Sequence, residues 1–240
     1  MTTQRTKEEK QANVEKIKAE TEKAQAESRK VKAEALSAEI KAQREQVELE
    51  KLIKAENKLK ASDAENNVYR FNGEVDKASV IKCRSKLTQW SRMNPNCEME
   101  IVFASPGGRI TAGFELFDYI QQLRSSGHKI ITGSLGMAAS MAGVLLQAGE
   151  KRWIGHQSWI LIHRASFGAI GKSFEIEDEV AWIKRIENRI INIFASRSSL
   201  TSLKIKRNWD RKDWWINADE ALDLGLVDEI KGALIEHKDE

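Results

Sequence analysis

Residues 136–143 read Gly-Met-Ala-Ala-Ser-Met-Ala-Gly, and they place Ser140 at the point where an apolar helix is predicted to begin. The neighbouring side chains are too small to shield the serine, and a nucleophile needs that exposure. Small residues around a serine are also common where helices pack closely. The stretch therefore indicates a nucleophile but does not establish one.

A glycine turn precedes this serine in the chain. Residues 101–104 (IVFA) predict a buried strand that runs into Ser105-Pro106-Gly107-Gly108. Glycines leave backbone N–H groups open to a negatively charged oxygen, as an oxyanion hole requires. Taken alone, the sequence SPGG is also compatible with an ordinary turn.

A histidine follows the next apolar run. Residues 159–162 (WILI) predict a second strand that ends at His163. A lone histidine there is more often a core or surface residue. The alternation of strands and helices, however, predicts an α/β fold of βαβ units, in which the glycine turn, Ser140 and His163 converge near strand ends. Together they are three parts of an acyl-transfer site.

Such a site also needs a carboxylate to orient the histidine. Asp213 is the better candidate because it directly precedes the short apolar run Trp214-Trp215-Ile216, while Asp210 is the rival three residues earlier. Either one could instead be a solvated loop charge, so the residues alone leave the choice open.

From about Val68 to Gly232 the chain resembles the Clp protease proteolytic subunit (ClpP) family, which has a ClpP/crotonase-like α/β core. The motifs occur in the family's order: FNGEV at 71–75, SPGG at 105–108 with TAG at 111–113, GMAASMAG at 136–143, the strand ending in His163, DWWINADEA at 213–221 and GLVD at 225–228.

The resemblance implies a role for each site residue. Ser140 would be the nucleophile, His163 the general base and Asp213 the orienting carboxylate, in preference to Asp210. The backbone N–H groups of Gly108 and Met141 would form the oxyanion hole. The implied activity is that of a serine-type endopeptidase without a metal or cofactor.

The resemblance also implies an assembly. In the family, the helix matching residues 174–197 projects as a handle that joins two stacked rings of seven subunits, with the active sites inside. Residues 167–173 do not form a phosphate loop, because position 166 is a serine rather than the required glycine. We therefore expect that a separate AAA+ unfoldase supplies any ATP-dependent unfolding.

Residues 1–66 differ in character from the rest. They contain neither Gly nor Pro and consist mostly of Lys, Glu, Ala and Gln, which predicts one long helix. A seven-residue apolar rhythm shifts phase midway, so a solvated single helix and a self-associating coiled-coil arm both stay open. The predicted domains are this arm (1–66), the peptidase domain (67–232) and a polar tail (233–240).

The resemblance favours a self-compartmentalised, ATP-dependent serine endopeptidase of the Clp type, and two alternatives to it stay open. One is a capsid (prohead) maturation protease of the Clp-related kind found in tailed phages, in which the charged arm would act on a capsid or scaffold partner. The other is a crotonase-type acyl-CoA enzyme or a catalytically silent assembly subunit. The set Ser140, His163 and Asp213 argues against the second alternative, because acyl-CoA chemistry on that fold does not require a serine nucleophile.

Composition argues against several other classes of protein. The formal net charge is only +3, and both signs of charge alternate along the arm, so nucleic-acid binding is not expected. No apolar run approaches the roughly 20 residues that span a bilayer, so no membrane association is expected. Cys83 and Cys97 are too few for a disulfide framework. We expect both to be reduced thiols in a cytoplasmic protein.

Overall fold

The computed structural model describes residues 2–210 and 212–233, and the side chains from residue 13 onward within that part. The chain separates into two compact units between Ala61 and Ser62, five residues before the predicted boundary. Contacts of the second unit explain the difference. Asp63 accepts a hydrogen bond from the Arg70 guanidinium at 2.7 Å and, through its carbonyl, another from the Val68 N–H at 2.8 Å. The predicted tail lies, except for residue 233, outside the described residues.

The first unit is one helix, α1 (Thr2–Lys60), as the absence of Gly and Pro predicts. Ion pairs at helical spacing support it, including Lys60–Glu56 at 2.6 Å and Lys51–Glu48 at 3.5 Å. Exposed pairs of this kind contribute only about 0.3–0.5 kcal/mol each. Its aliphatic side chains are exposed: Val14, Ile17, Val31, Leu36, Ile40, Val47, Leu49, Leu52, Ile53 and Leu59.

The second unit alternates strands and helices, which confirms the predicted α/β class. Its strands are β1 (Val68–Asn72), β2 (Glu98–Ser105), β3 (Lys129–Ala139), β4 (Lys151–Gly155), β5 (Trp159–Ile162), β6 (Trp214–Ile216) and β7 (Glu229–Lys231). Its helices are α2 (Lys77–Met93), α3 (Ile110–Ser125), α4 (Met141–Leu146), α5 (Ser173–Ser196), α6 (Ser202–Trp209) and α7 (Ala218–Asp223).

The sheet follows the order β1-β2-β3-β4-β7 with parallel pairing throughout. Strand β3 pairs with β2 and is long enough to pair with two further strands, one after the other along its length. Residues 131–134 pair with β4, and residues 137–139 pair with β5. Gly136, at φ +74°, lies at the change of partner, and its N–H donates to Ser158 Oγ at 2.8 Å. This change of partner brings the end of β3 beside the end of β5.

Helix α5 buries only part of its apolar surface. Ile186, Ile190 and Phe194, in its second half, are buried in the core. In its first half, Phe174 and Trp182 are 57% and 53% exposed. The first half of α5 therefore exposes two large apolar side chains that the core does not cover.

A buried arginine fixes the far end of α4. Arg152 donates to Asp228 at 2.5 Å and to the side chain of Gln147 at 2.7 Å; Gln147 is the C-cap residue of α4. Burial would raise the pKa of Asp228, but the hydrogen bonds and charge of Arg152 outweigh it and lower that pKa. The helix that follows Ser140 is therefore anchored at its other end.

At α7, Asn217 is the N-cap, a type of residue favoured there, and its side chain accepts from the Glu220 N–H at 2.9 Å. None of the helices in the described part of the chain combines the length and apolar character needed to cross a membrane.

Candidate active site

Ser140 occupies a sharp strand-to-helix junction. Strand β3 ends at Ala139 and α4 begins at Met141, so Ser140 alone makes the turn. Its backbone has φ 54° and ψ −122°, a conformation that L residues rarely adopt. The Ser140 N–H donates to the Leu161 carbonyl at 2.9 Å, which holds the turn against β5. Strained backbone of this kind is concentrated at functional sites.

His163 lies beside this serine. The parallel register pairs Ala139 with Leu161, so the residues that follow β3 and β5 emerge next to each other. Ser140 Oγ and His163 Nε2 are 2.7 Å apart, which is hydrogen-bonding distance. A nucleophile and a general base in direct contact are the basic unit of serine-based acyl transfer.

Asp213 reaches His163 from the other side. Strand β6 is antiparallel to β5 and pairs Trp214 with Ile162, so the next position of the register places Asp213 opposite His163. Asp213 Oδ1 lies 3.5 Å from His163 Nδ1. Catalytic hydrogen bonds are often long in the absence of substrate and shorten when it binds.

Asp210 has a different partner. Its Oδ1 lies 3.5 Å from Nη1 of Arg164, with which it forms an ion pair. Of the two carboxylates that the sequence left open, the structure therefore brings Asp213 to the histidine and Asp210 to the arginine after it.

The glycine turn approaches the serine closely. Gly107 and Gly108 have φ values of +92° and +148°, and a Cβ on Gly107 would lie 2.6 Å from Cβ of Ser140. A Cβ on Gly108 would lie 2.4 Å from the Val75 carbonyl oxygen. Only glycine fits at either position.

Two backbone N–H groups near Ser140, one in the glycine turn and one at the start of α4, are candidate donors. A β-bridge joins Val75 to the turn: the Val75 N–H donates to the Gly107 carbonyl at 2.8 Å, and the Arg109 N–H donates to the Val75 carbonyl at 2.7 Å. The Gly108 N–H takes no part in this bridge. Met141 is the first residue of α4, where an N–H has no partner within its own helix. Both groups are therefore candidates for holding a negatively charged oxygen.

Sequence reasoning missed an apolar recess beside Ser140 and His163. It is lined by apolar side chains from α3, α4, β5 and α5: Ile110, Met141, Val144, Ile162, Ile190 and Phe194. Ile190 and Phe194 lie four positions apart on α5 and are buried in the core. Nothing in their spacing indicates that they also border the site.

Sequence reasoning also missed the role of Arg164, which lines the same recess and contacts both Glu187 and Asp210. Its position directly after His163 was the only available signal. Within the described residues, no group of three or more His, Cys, Asp and Glu side chains is arranged to hold a metal ion.

Comparison with known proteins shows the family to which this chain belongs. The Clp protease family model matches residues 58–233. The ATP-dependent Clp protease proteolytic subunit of Porphyromonas gingivalis is 31% identical over 159 residues, covering 65% of this chain and 70% of the relative. Its counterpart in Bacteroides fragilis is 33% identical over 159 residues, covering 65% and 75%.

A third relative is the ATP-dependent Clp protease proteolytic subunit 2 of Tropheryma whipplei, 36% identical over 159 residues, with 65% of this chain and 86% of the relative covered. The family model extends over most of the chain and includes Ser140, His163 and Asp213. The chain therefore belongs to the Clp protease family and is a serine-type peptidase, a hydrolase that acts on peptide bonds.

Proposed function

We propose that this chain is the proteolytic subunit of an ATP-dependent Clp-type protease and that it cleaves peptide bonds through Ser140, His163 and Asp213. The observation that carries the proposal is the 2.7 Å contact between Ser140 Oγ and His163 Nε2 at a strained strand-to-helix junction. A silent assembly subunit or an acyl-CoA enzyme would have no use for a serine held in this way.

The geometry suggests how the residues would share the reaction. His163 Nε2 takes the proton from Ser140 Oγ as that oxygen attacks the peptide carbonyl, and it then gives the proton to the leaving amine. Water, deprotonated by the same nitrogen, then cleaves the acyl-enzyme. Asp213 keeps the second imidazole proton on Nδ1 and stabilises the imidazolium. The N–H groups of Gly108 and Met141 donate to the oxyanion, and each such donor contributes about 3 kcal/mol to lowering the barrier.

The recess suggests a substrate class. Because apolar side chains line it directly beside Ser140, we propose that it opens further to take the substrate side chain that precedes the cleaved bond, since its present volume of about 20 Å³ is too small for a leucine side chain. Arg164 also lines the recess but is already paired with Glu187 and Asp210, so a carboxylate buried there would gain no free cation, which is costly.

Short fluorogenic peptides test this function directly. Two peptides that differ only in the residue before the cleaved bond, leucine in one and aspartate in the other, should differ in kcat/KM by about 100-fold or more. Cleavage should need no ATP, because a short peptide needs no unfolding. Equal cleavage of the two peptides, or preference for aspartate, would contradict the assignment of the recess.

We further propose that the subunits enclose a chamber of two stacked seven-membered rings that is fed by a separate AAA+ unfoldase. The supporting feature is the first half of α5, where Phe174 and Trp182 are exposed although large apolar side chains are normally covered. A neighbouring subunit would cover them. Active sites inside such a chamber would receive only unfolded protein chains.

A second candidate function is supported by α1. A charged helix from Thr2 to Lys60 is a plausible assembly element for a capsid maturation protease, in which it would contact a capsid or scaffold partner. The chemistry of the peptidase domain would be the same in both cases.

Removing the helix tests its separation from catalysis. A shortened chain that begins at Ser62 should cleave short peptides at a rate within about threefold of the full chain, because no proposed catalytic residue lies in α1 and the buried core lies within residues 62–233. Native mass spectrometry of both chains would report whether α1 contributes to assembly. For the full chain we expect a mass near fourteen subunits.

Two results would contradict these proposals. A full-length protein that is monomeric or dimeric would exclude the chamber. Loss of short-peptide cleavage in the shortened chain, with the oligomer unchanged, would show that α1 orders the active site.

A further inference from the structure

Arg164 forms an ion pair with a buried carboxylate that the reaction does not use. Its guanidinium donates from Nε to Glu187 Oε1 and from Nη2 to Glu187 Oε2, both at 3.0 Å. Glu187 is only 7% exposed and lies in the part of α5 that packs into the core. A two-point contact between planar groups fixes orientation as well as distance.

This pair is costly to break by removing the arginine, because Glu187 is the buried partner. A buried carboxylate without its partner retains its desolvation penalty, and such losses are strongly destabilising. Hydrogen bonding to Glu187, followed by its charge, raises the pKa of Arg164, so the guanidinium stays ionised. Arg164 directly follows His163, so this contact with α5 lies next to the residue that carries the imidazole.

The same guanidinium contacts the segment that leads to Asp213. Its Nη1 lies 3.5 Å from Oδ1 of Asp210, the residue that caps the end of α6. Trp209, just before that cap, is 4% exposed and anchors α6 in the core. Arg164 thereby links the end of β5, helix α5 and Asp210, which lies three positions before Asp213.

Asp213 depends on such outside support. Its side chain is 60% exposed, and among the residues whose side chains the structure describes, His163 is its one polar partner. The carboxylate cannot hold its own position through that single 3.5 Å contact. Two contacts of the chain near Asp213 can support it: the pairing of β6 with β5 directly after it, and the ion pair of Asp210, three positions before it, with Arg164.

We infer that Arg164 is a positioning residue that sets the contact between His163 and Asp213 by binding Glu187 and Asp210 at the same time. This inference rests on the proposed triad. It predicts that Arg164 acts on turnover through Asp213, and that its contribution disappears when Asp213 cannot orient the histidine.

A double-mutant cycle tests the inference in the full-length protein. The variants are Arg164→Gln, Asp213→Asn and the combination, and short-peptide cleavage gives kcat and KM for each. We expect Arg164→Gln to lower kcat about 10- to 30-fold with KM within about twofold of the original, since misplacement of a catalytic group affects the chemical step. In the Asp213→Asn background the same change should cost less than about threefold, because coupled residues are not additive.

The conservative variant supplies a matched control. Arg164→Lys keeps the charge but loses the planar two-point contact, so its kcat should fall between those of the original and Arg164→Gln. Asp210→Asn removes only the link to the Asp213 segment and leaves Glu187 paired. It should lower kcat by about 3- to 10-fold, and this loss too should vanish in the Asp213→Asn background. If Arg164→Gln fails to fold, the cycle with Asp210→Asn makes the same test.

Three outcomes would overturn the inference. These are unchanged kcat in Arg164→Gln, an equal loss with and without Asp213→Asn, and a loss that follows a changed oligomer mass in native mass spectrometry. A triad that is itself wrong gives a different result, since Asp213→Asn alone would then retain nearly full activity.

Discussion

Replacing Ser140 by alanine should lower kcat for a short peptide by roughly 10⁴- to 10⁶-fold, while the fold is retained. In the proposed mechanism the hydroxyl oxygen forms the acyl-enzyme, and His163 has no other proton to remove at that position. Its contact with His163 Nε2, at 2.7 Å, shows that the two groups already meet without substrate. The remaining activity would come from the oxyanion donors and from substrate binding.

A second serine gives the matched control. Ser125 is exposed at the end of α3, and its hydroxyl donates to the Gln122 carbonyl at 2.8 Å. Ser125→Ala should leave kcat and KM unchanged. Circular dichroism and native mass spectrometry should show that both variants fold and assemble like the original protein. Peptide cleavage by Ser140→Ala at more than about a hundredth of the original rate would require a different nucleophile.

Replacing Asp213 by asparagine should lower kcat by up to roughly 10⁴-fold. An amide in place of the carboxylate can donate to Nδ1 of His163, which moves the imidazole proton to Nε2. That nitrogen then can no longer accept the serine proton. The measurement is kcat for the same short peptide, with the labelling rate by a fluorophosphonate as a second measure for slow variants.

Asp210→Asn is the control for this prediction. Asp210 pairs with Arg164 rather than with His163, so its loss should cost no more than about tenfold. Two carboxylates three residues apart would then differ by about three orders of magnitude in their effect on kcat. The reverse pattern, a small effect at Asp213 and a large one at Asp210, would reassign the orienting residue.

The parts of this site that the sequence predicts are those that depend on neighbouring residues. The turn at residues 105–108 follows from the local sequence SPGG, whereas the close approach of Gly107 to Ser140 and of Gly108 to Val75 joins distant parts of the chain. Asn217 caps α7 through a residue three positions away. The length of α1 likewise follows from composition, because no Gly or Pro interrupts it.

The parts that the sequence left open depend on distant partners. Strand β3 continues to Ala139, because β5 provides a second partner beyond β4. The next helix therefore begins only at Met141. No local pattern encodes this change of partner.

The choice between the two carboxylates also depends on distant contacts. Asp213 lies opposite His163 only because of the antiparallel register of β5 and β6, which are far apart in the chain. Asp210 is occupied by Arg164, whose main partner Glu187 lies in a third element. Pairings across three elements cannot be deduced from the spacing of residues along one of them.

Active-site labelling tests the central claim most directly. Full-length protein is treated with a fluorophosphonate, the number of labels per chain is read from the intact mass, and the labelled residue is identified by peptide mapping. A serine activated by a neighbouring histidine should react, whereas ordinary serines should not. We expect one label per chain, located on Ser140, with loss of peptide cleavage in proportion to labelling. A label on another residue, or unchanged labelling of Ser140→Ala, would contradict the assignment of Ser140 as the nucleophile.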